Sequence, residues 1–404
     1  MLLNFTCSNV RSIRDSVTLN LRANTDDTFE NNLIYFDGER INPACAIYGS
    51  NATGKTSVLT GIAIMQNMVI TSHLLQPGDL LPRNPHRLNQ DKPTEYEMEF
   101  VWKNLRYIYS FAYDNQRILK EALYYAPNGR MGIIFSRDGN KIKVNEKFSR
   151  IETLCKEKLS PNKLVLSLVV NNLNYEELAN AFLFYKDGLV VLMNDNDNWL
   201  EYSASKLEHD KGIRDIFLKF MKDTGSDIID IKAKSEQRLV TSAELPPDMP
   251  QAIRAMLLNK PSVFTTVRTI YKNFSLDLVE ESLGTQKLIR MMCPIMDIFQ
   301  KNKTLVCDEI ESHLHPLIVR QVVTRFIRGK TSEAQIICAT HNVEMLDLNL
   351  FRRDQIYFTD INPDFHRTTL KSLSSFQCRK DEKVQKKYLE SKYVRVARDV
   401  WNEE

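Results

Sequence analysis

The chain is expected to be an α/β protein: a parallel sheet with crossover helices, flanked by an antiparallel β lobe and interrupted by a mainly helical insert. Three patterns predict this. An apolar run meets a glycine-containing loop and then an amphipathic helix near residue 50. Three runs rich in Tyr, Phe, Val and Ile stand between Glu95 and Tyr125. From Ser282 onward, helical and strand patterns alternate.

Taken in order, residues 2–8 and 16–21 alternate like two half-buried strands around a turn. Ala44-Cys45-Ala46-Ile47-Tyr48 reads as a buried strand because it is apolar and stops at Gly49. Over residues 55–73, Val58, Ile62, Met65 and Val69 recur at four- and three-residue steps, the face of a helix. Residues 96–101, 106–113 and 118–125, bounded by the turn signals Lys103-Asn104 and Asp114-Asn115, predict an antiparallel sheet. From Phe148 to Leu258 helical patterns such as 175–186 and 213–222 dominate, joined by loops at 194–198 and at Pro246-Pro247-Asp248. Strand character returns at 263–271. Segments 285–300, 304–307, 316–328, 335–339 and 354–358 then alternate between helix and strand, which implies parallel strands with crossover helices. The expected division is an N-terminal lobe at 1–147, a helical insert at 148–261 and a C-terminal lobe at 262–404. There is no internal repeat and no sustained heptad stretch.

Composition narrows the class. The 404 residues, 43% of them apolar, can bury a large core in about two or three units. A net charge of +3 gives no global pull toward nucleic acid or membrane. The seven cysteines are scattered singly without C-x-x-C pairs, against both a disulfide framework and a zinc site. Residues 1–22 hold no uninterrupted apolar segment of secretory or spanning length. A cytoplasmic protein without a membrane partner is expected.

Two motifs carry the chemistry. Gly49-Ser50-Asn51-Ala52-Thr53-Gly54-Lys55-Thr56, followed by Ser57, fits G-x-x-x-x-G-K-[ST]. In such a loop backbone N–H groups approach phosphates, Lys55 reaches the β and γ phosphates of ATP, and Thr56 ligates Mg²⁺. Thr304-Leu305-Val306-Cys307-Asp308-Glu309 is an apolar strand ending in two acids. At that position Asp308 would hold Mg²⁺ and Glu309 would deprotonate an attacking water. Glu281-Ser282-Leu283-Gly284-Thr285-Gln286 precedes a helix, and on its own Ser282 is an N-cap and nothing more. Ala339-Thr340-His341-Asn342 follows another apolar strand, where His341 is either a site residue or a histidine near a helix cap.

In that order the parts resemble the ABC ATPases of the SMC/RecF/OLD kind, and among them the stand-alone ATPases of bacterial anti-phage systems of the Septu, PARIS and RloA types. The resemblance spans residues 1–145 and 262–404. It is supported by Asn9-Val10-Arg11-Ser12-Ile13, Pro93-Thr94-Glu95-Tyr96 with Arg106-Tyr107-Ile108-Tyr109, Asp308-Glu309-Ile310-Glu311 leading into Leu314-His315-Pro316, and Lys387-Tyr388-Leu389-Glu390. It implies that Ser282, Gly284, Thr285 and Gln286 form a signature motif contacting the γ-phosphate held by the opposite subunit of a homodimer. It further implies that His341 is a switch histidine sensing γ-phosphate, that Arg11 touches nucleotide, and that dimer closure regulates a separate nuclease or toxin. A RecF-like DNA-binding maintenance ATPase is the alternative.

The sequence departs from the family pattern in places. The signature lacks a double glycine, Ser312-His313 replaces the small residues expected of the D-loop, and no glutamine loop is evident. Gln90 is a candidate metal ligand or an ordinary loop glutamine. The basic stretch 371–398, with Arg379, Lys380, Lys383, Lys386, Lys387, Lys392, Arg395 and Arg398, is a nucleic-acid or partner surface or else the solvated face of a terminal helix. Tyr388, Tyr393 and Trp401 are expected to pack that helix on the body.

Overall fold

The alternating start of the chain sets up the first of two sheets. In the computed structural model, which describes residues 1–193, 197–241, 258, 261–329, 332–379 and 382–396, Leu2–Ser8 and Val17–Asn20 pair antiparallel with Phe5 opposite Leu19. Phe5 and Leu19 are buried, while Thr6 and Thr18 join hydroxyls at 2.9 Å on the exposed face. These strands extend a seven-stranded antiparallel sheet through Thr94–Trp102, Leu105–Tyr113, Ile118–Ala126, Gly132–Asp138 and Lys141–Val144. The three runs expected as strands form its middle. The last two strands are additional, and the outermost, Lys141–Val144, buries none of its residues.

A six-stranded sheet has the order Leu189–Leu192, Thr304–Cys307, Gln335–Ala339, Ala44–Tyr48, Ile356–Asn362, Arg367–Ser372. Its first five strands are parallel and the sixth is antiparallel. The three central strands are buried at every residue, as expected of parallel strands covered on both faces. Cys307 pairs with Cys338 and Ala339 with Ile47, which aligns the carboxyl ends of these strands, where ligands bind in open α/β sheets.

Chain grouping differs from the expected division at 147/148 and 261/262. One unit comprises Met1–Met193, Ile298–Ser312 and Val319–Glu404; the other comprises Asn194–Asp297 and His313–Ile318. The reason lies in the side chains of 148–193. The helices Arg150–Lys158, Val165–Val170 and Glu176–Leu183 bury Ile151, Val165, Val169 and Leu178 in the same core as the antiparallel sheet. Phe100 of the sheet stacks on Phe184 at 4.2 Å between centroids. The buried Glu121 carboxylate accepts the amides of Val165 (2.8 Å) and Leu166 (3.1 Å) and the Tyr109 hydroxyl (2.8 Å), satisfying donors at a helix start.

The second unit has helices Asp197–His209 and Lys211–Asp223, a three-stranded antiparallel sheet, and most of the helix Leu283–Gln300. Its central strand is Pro261–Ile270; its partner Asp230–Leu239 lies inside the stretch expected to be mainly helical. Pro294 cannot donate to the Arg290 carbonyl four residues earlier, and the Ser203 hydroxyl takes that carbonyl at 2.8 Å instead.

Of the loop expected at 194–198, residues 194–196 lie outside the described residues and Asp197 and Asn198 instead open the helix Asp197–His209; the loop expected at Pro246-Pro247-Asp248 lies outside the described residues. All seven cysteines are free thiols. Among the described residues no helix is long and apolar enough to cross a membrane.

Candidate functional site

Strand Ala44–Tyr48 delivers the chain to Gly49 at the carboxyl edge of the parallel sheet, and helix Lys55–Thr71 begins six residues later. The turn between them requires glycine at both ends. A Cβ on Gly49 would strike the Thr359 and Thr53 hydroxyls, and one on Gly54, whose φ is +103°, would strike the Thr368 and Ser12 side chains. Gly54 offers the helix no side-chain cap, so amides of its first turn stay available to an anion. The Lys55 ammonium folds back to donate to the carbonyls of Gly49 (2.7 Å) and Ser50 (3.1 Å). Burial pulls its pKa down, and the charges of Asp308, Glu309 and Glu311 oppose that shift.

Arg11, Ser12, Asn51, Ala52, Gly54, Lys55, Thr56, Ser57, Asp308, Glu309 and His341 line one cleft of about 610 Å³. Lysine, hydroxyls, two strand-end acids and a histidine therefore meet although 329 positions separate Ser12 from His341. Asp308 follows strand Thr304–Cys307, and its amide donates to the Leu192 carbonyl at 3.1 Å. Its Oδ1 is buried with no hydrogen-bond partner, a carboxylate oxygen suited to a cation. Glu309 adopts φ +46° and its carbonyl accepts the Ser312 amide at 3.0 Å, a tight turn right after the strand. The His341 amide donates to Glu311 Oε1 at 2.5 Å. Arg11, at φ +51°, sends Nη1 to the Thr60 hydroxyl at 3.0 Å on the helix that follows the loop.

Not every predicted residue faces the cleft. Ser50 donates its hydroxyl to the Arg395 carbonyl at 2.9 Å, and Thr53 is buried against Thr359 with hydroxyls 2.8 Å apart. Gln90 is exposed, donates to the Arg87 carbonyl at 3.2 Å and is not among the cleft residues; a helical turn ending at Asn89 carries it there. Ser282, Gly284, Thr285 and Gln286 belong to the second unit. There the exposed Ser282 caps helix Leu283–Gln300 by accepting the Thr285 amide at 3.2 Å. Gly284 passes so close to the His313 carbonyl that a Cβ would sit 2.8 Å from it. Gln286 turns its side-chain amide onto the Glu281 carbonyl at 2.9 Å.

Sequence reasoning missed the support behind the loop. The Thr368 hydroxyl bonds Ser12 (2.7 Å) and donates to the Thr53 carbonyl (2.9 Å), while Ser12 and Ser57 join hydroxyls at 2.8 Å. Thr359 and Thr368 sit on a hairpin some 300 residues downstream, and two threonines in ordinary strands carry no local signal. The tail, expected to carry its basic residues on a terminal helix, begins with the end of strand Arg367–Ser372. Its described helix is only Val384–Leu389, and Tyr388 and Tyr393 stack on Phe358 at 5.5 and 5.2 Å. Lys380, Arg398 and Trp401 lie outside the described residues.

A family model described as "AAA domain, putative AbiEii toxin, Type IV TA system" matches residues 45–347. No curated protein matches the chain. Solved structures that it resembles include the SMC head domain from Thermotoga maritima, at 12% identity over 92% of this chain and 98% of that one with a TM-score of 0.39. Another is an SMC head bound to the C-winged helix domain of ScpA, at 12% identity, 92% and 97% coverage and a TM-score of 0.36. A third is an SMC head with an extended coiled coil bound to the C-terminal domain of ScpA, derived from Pyrococcus furiosus, at 13% identity, 93% and 97% coverage and a TM-score of 0.36.

Proposed function

The chain belongs to the AAA-domain family whose model spans its residues 45–347, and on that premise we propose that it is an ABC-type ATPase that closes as a homodimer around ATP and Mg²⁺ to control a separate effector protein. The observation that supports this most is the single cleft uniting Lys55, Thr56, Asp308, Glu309 and His341. ATP enters with its phosphates against the loop amides, and Lys55 exchanges the Gly49 and Ser50 carbonyls for the β and γ phosphates. Thr56 and the unpartnered Oδ1 of Asp308 would hold Mg²⁺, since both offer the hard oxygen donors that this cation takes. When bound it neutralises charge on the β and γ oxygens. Glu309 holds and deprotonates the attacking water, His341 reads the γ-phosphate, and Arg11, which also lines the cleft, touches the nucleotide.

Completion of the site by a second copy is supported by the exposed, capped helix start at Ser282, with Gly284, Thr285 and Gln286 behind it. A helix N-terminus supplies positive potential to a γ-phosphate only once it is brought there, which makes turnover depend on closure. The family description names a toxin and a toxin–antitoxin system, in keeping with a nuclease or toxin effector and a part in bacterial anti-phage defence. The test is Glu309→Gln with purified protein and Mg²⁺. It should leave ATP affinity unchanged, stop hydrolysis and accumulate dimers on a sizing column, because only the base is lost. Normal turnover in that variant would place the base elsewhere.

A RecF-like DNA-binding role is favoured by one observation: Arg379, Lys383, Lys386, Lys392 and Arg395 are exposed. Acids offset part of that charge, since Lys387 pairs with Glu382 at 2.6 Å and Lys386 with Glu390 at 3.8 Å. This reading requires salt-sensitive DNA binding that stimulates ATP turnover.

A further inference from the structure

Glu311 has no part in the chemistry just described, yet it joins two of the loops that perform it. It is the third acid after strand Thr304–Cys307, two residues beyond Glu309 and within the same tight turn. One carboxylate oxygen accepts the His341 amide at 2.5 Å, while the other is buried without a hydrogen-bond partner. Strands Thr304–Cys307 and Gln335–Ala339 are parallel neighbours in register, so the segments leaving them run side by side at the edge of the cleft. The backbone ladder continues as far as Thr340, whose amide donates to the Ile47 carbonyl at 3.1 Å. His341 is the first residue past that ladder, and its amide is held by a side chain from the neighbouring loop. On the far side, the Asn342 amide donates to the Thr340 hydroxyl at 3.0 Å.

We propose that Glu311 is a positioning residue: by holding the His341 amide it fixes the arc in which the imidazole meets the γ-phosphate, and it ties the histidine's movement to the loop carrying Asp308 and Glu309. The proposal rests on the reading of the cleft as an ATPase site. It differs from a merely structural bond in what it requires of substitutions. Glutamine keeps a carbonyl oxygen that can accept the amide, whereas alanine removes the acceptor, so the two must separate if positioning is the role. They must coincide if the negative charge near Lys55 is what matters.

The experiment pairs amide hydrogen exchange over residues 338–345 with steady-state ATPase kinetics for wild type, Glu311→Gln and Glu311→Ala. Expected in Glu311→Ala is exchange at His341 faster by about tenfold or more, with kcat lower by about tenfold or more and KM within about threefold of wild type. Glu311→Gln should stay within about threefold of wild type in every reading. Unchanged exchange in Glu311→Ala overturns the hydrogen bond itself. Fast exchange with unchanged kcat reduces it to a structural tie and overturns the positioning role, as does equal impairment of the two variants. Wild-type protein without any turnover sinks the ATPase reading and the role given to Glu311 together, and the exchange measurement then reports whether the tie alone exists.

Discussion

Gly54 is where a single missing methyl group decides whether the loop can form. Its φ of +103° is costly for any residue with a Cβ, and the space where that Cβ would stand is filled by Thr368 Cγ2 at 2.7 Å and Ser12 Oγ at 2.8 Å. Gly129 gives the matched comparison, with φ +72° and nothing within 4 Å. Gly129→Ala should therefore cost only backbone strain, about 1 kcal/mol of stability, and leave nucleotide binding alone. Gly54→Ala should lower ATP affinity by about tenfold or more, because the loop must move away from Thr368 and its amides move with it. Calorimetric titration with a non-hydrolysable ATP analogue, beside thermal melts, checks both, and equal behaviour of the two variants would show that the fit around Gly54 is unimportant. At this scale the sequence was legible where chemistry is local: Gly49, Gly54, Lys55 and Thr56 stand in one short stretch with a mechanism attached to each. It was silent on Ser12, Thr359 and Thr368, whose hydroxyls matter only after the hairpin folds back over the loop.

Strands and helices with strong patterns were legible in proportion to their burial. Ala44–Tyr48, Thr304–Cys307 and Gln335–Ala339 are apolar at nearly every position because both faces are covered, so they announce themselves. Asp230–Leu239 escaped notice because only Ile231, Ala233 and Leu239 of its side chains are apolar, too few to show the alternation that marks a half-buried strand. The tail escaped because its order comes from aromatic stacking rather than from helical periodicity. Tyr388 and Tyr393 lie on Phe358, and Ser50 of the phosphate loop donates its hydroxyl to the Arg395 carbonyl. The tail thus meets the second residue of the phosphate loop. Ser50→Ala removes the donor to the Arg395 carbonyl and leaves the ring stack on Phe358 in place, so the loop should lose part of its preorganisation and ATP affinity should fall by about threefold to tenfold, on the order of 1 kcal/mol. Affinity equal to wild type, with the melting temperature also unchanged, would mean that the tail merely rests on the loop.

At the level of the whole molecule, the division into units was the least legible feature, since the side chains of 148–193 are as apolar as those of a separate helical domain would be. Only the partners of Ile151, Val169 and Leu178 assign them to the core of the sheet lobe. The division bears directly on function, because Lys55 and Glu309 belong to one unit and Ser282 to the other. If a complete site takes its cradle and acids from one copy and its capped helix from a second, two differently crippled chains can repair each other. Lys55→Ala destroys the cradle, and Ser282→Arg fills the space before the helix start with a long cation. In a mixed dimer one site then carries both defects and the other carries neither. An equal mixture forms mixed dimers in about half of its pairs, each with one intact site, so ATPase activity should recover to about a quarter of the wild-type value while each variant alone stays inactive. Steady-state turnover of the mixture against its separate components is the measurement. Activity no greater than the sum of the two parts, with exchange of subunits verified by a tagged pull-down, would mean that each chain completes its own site and that the homodimer is not the catalytic unit.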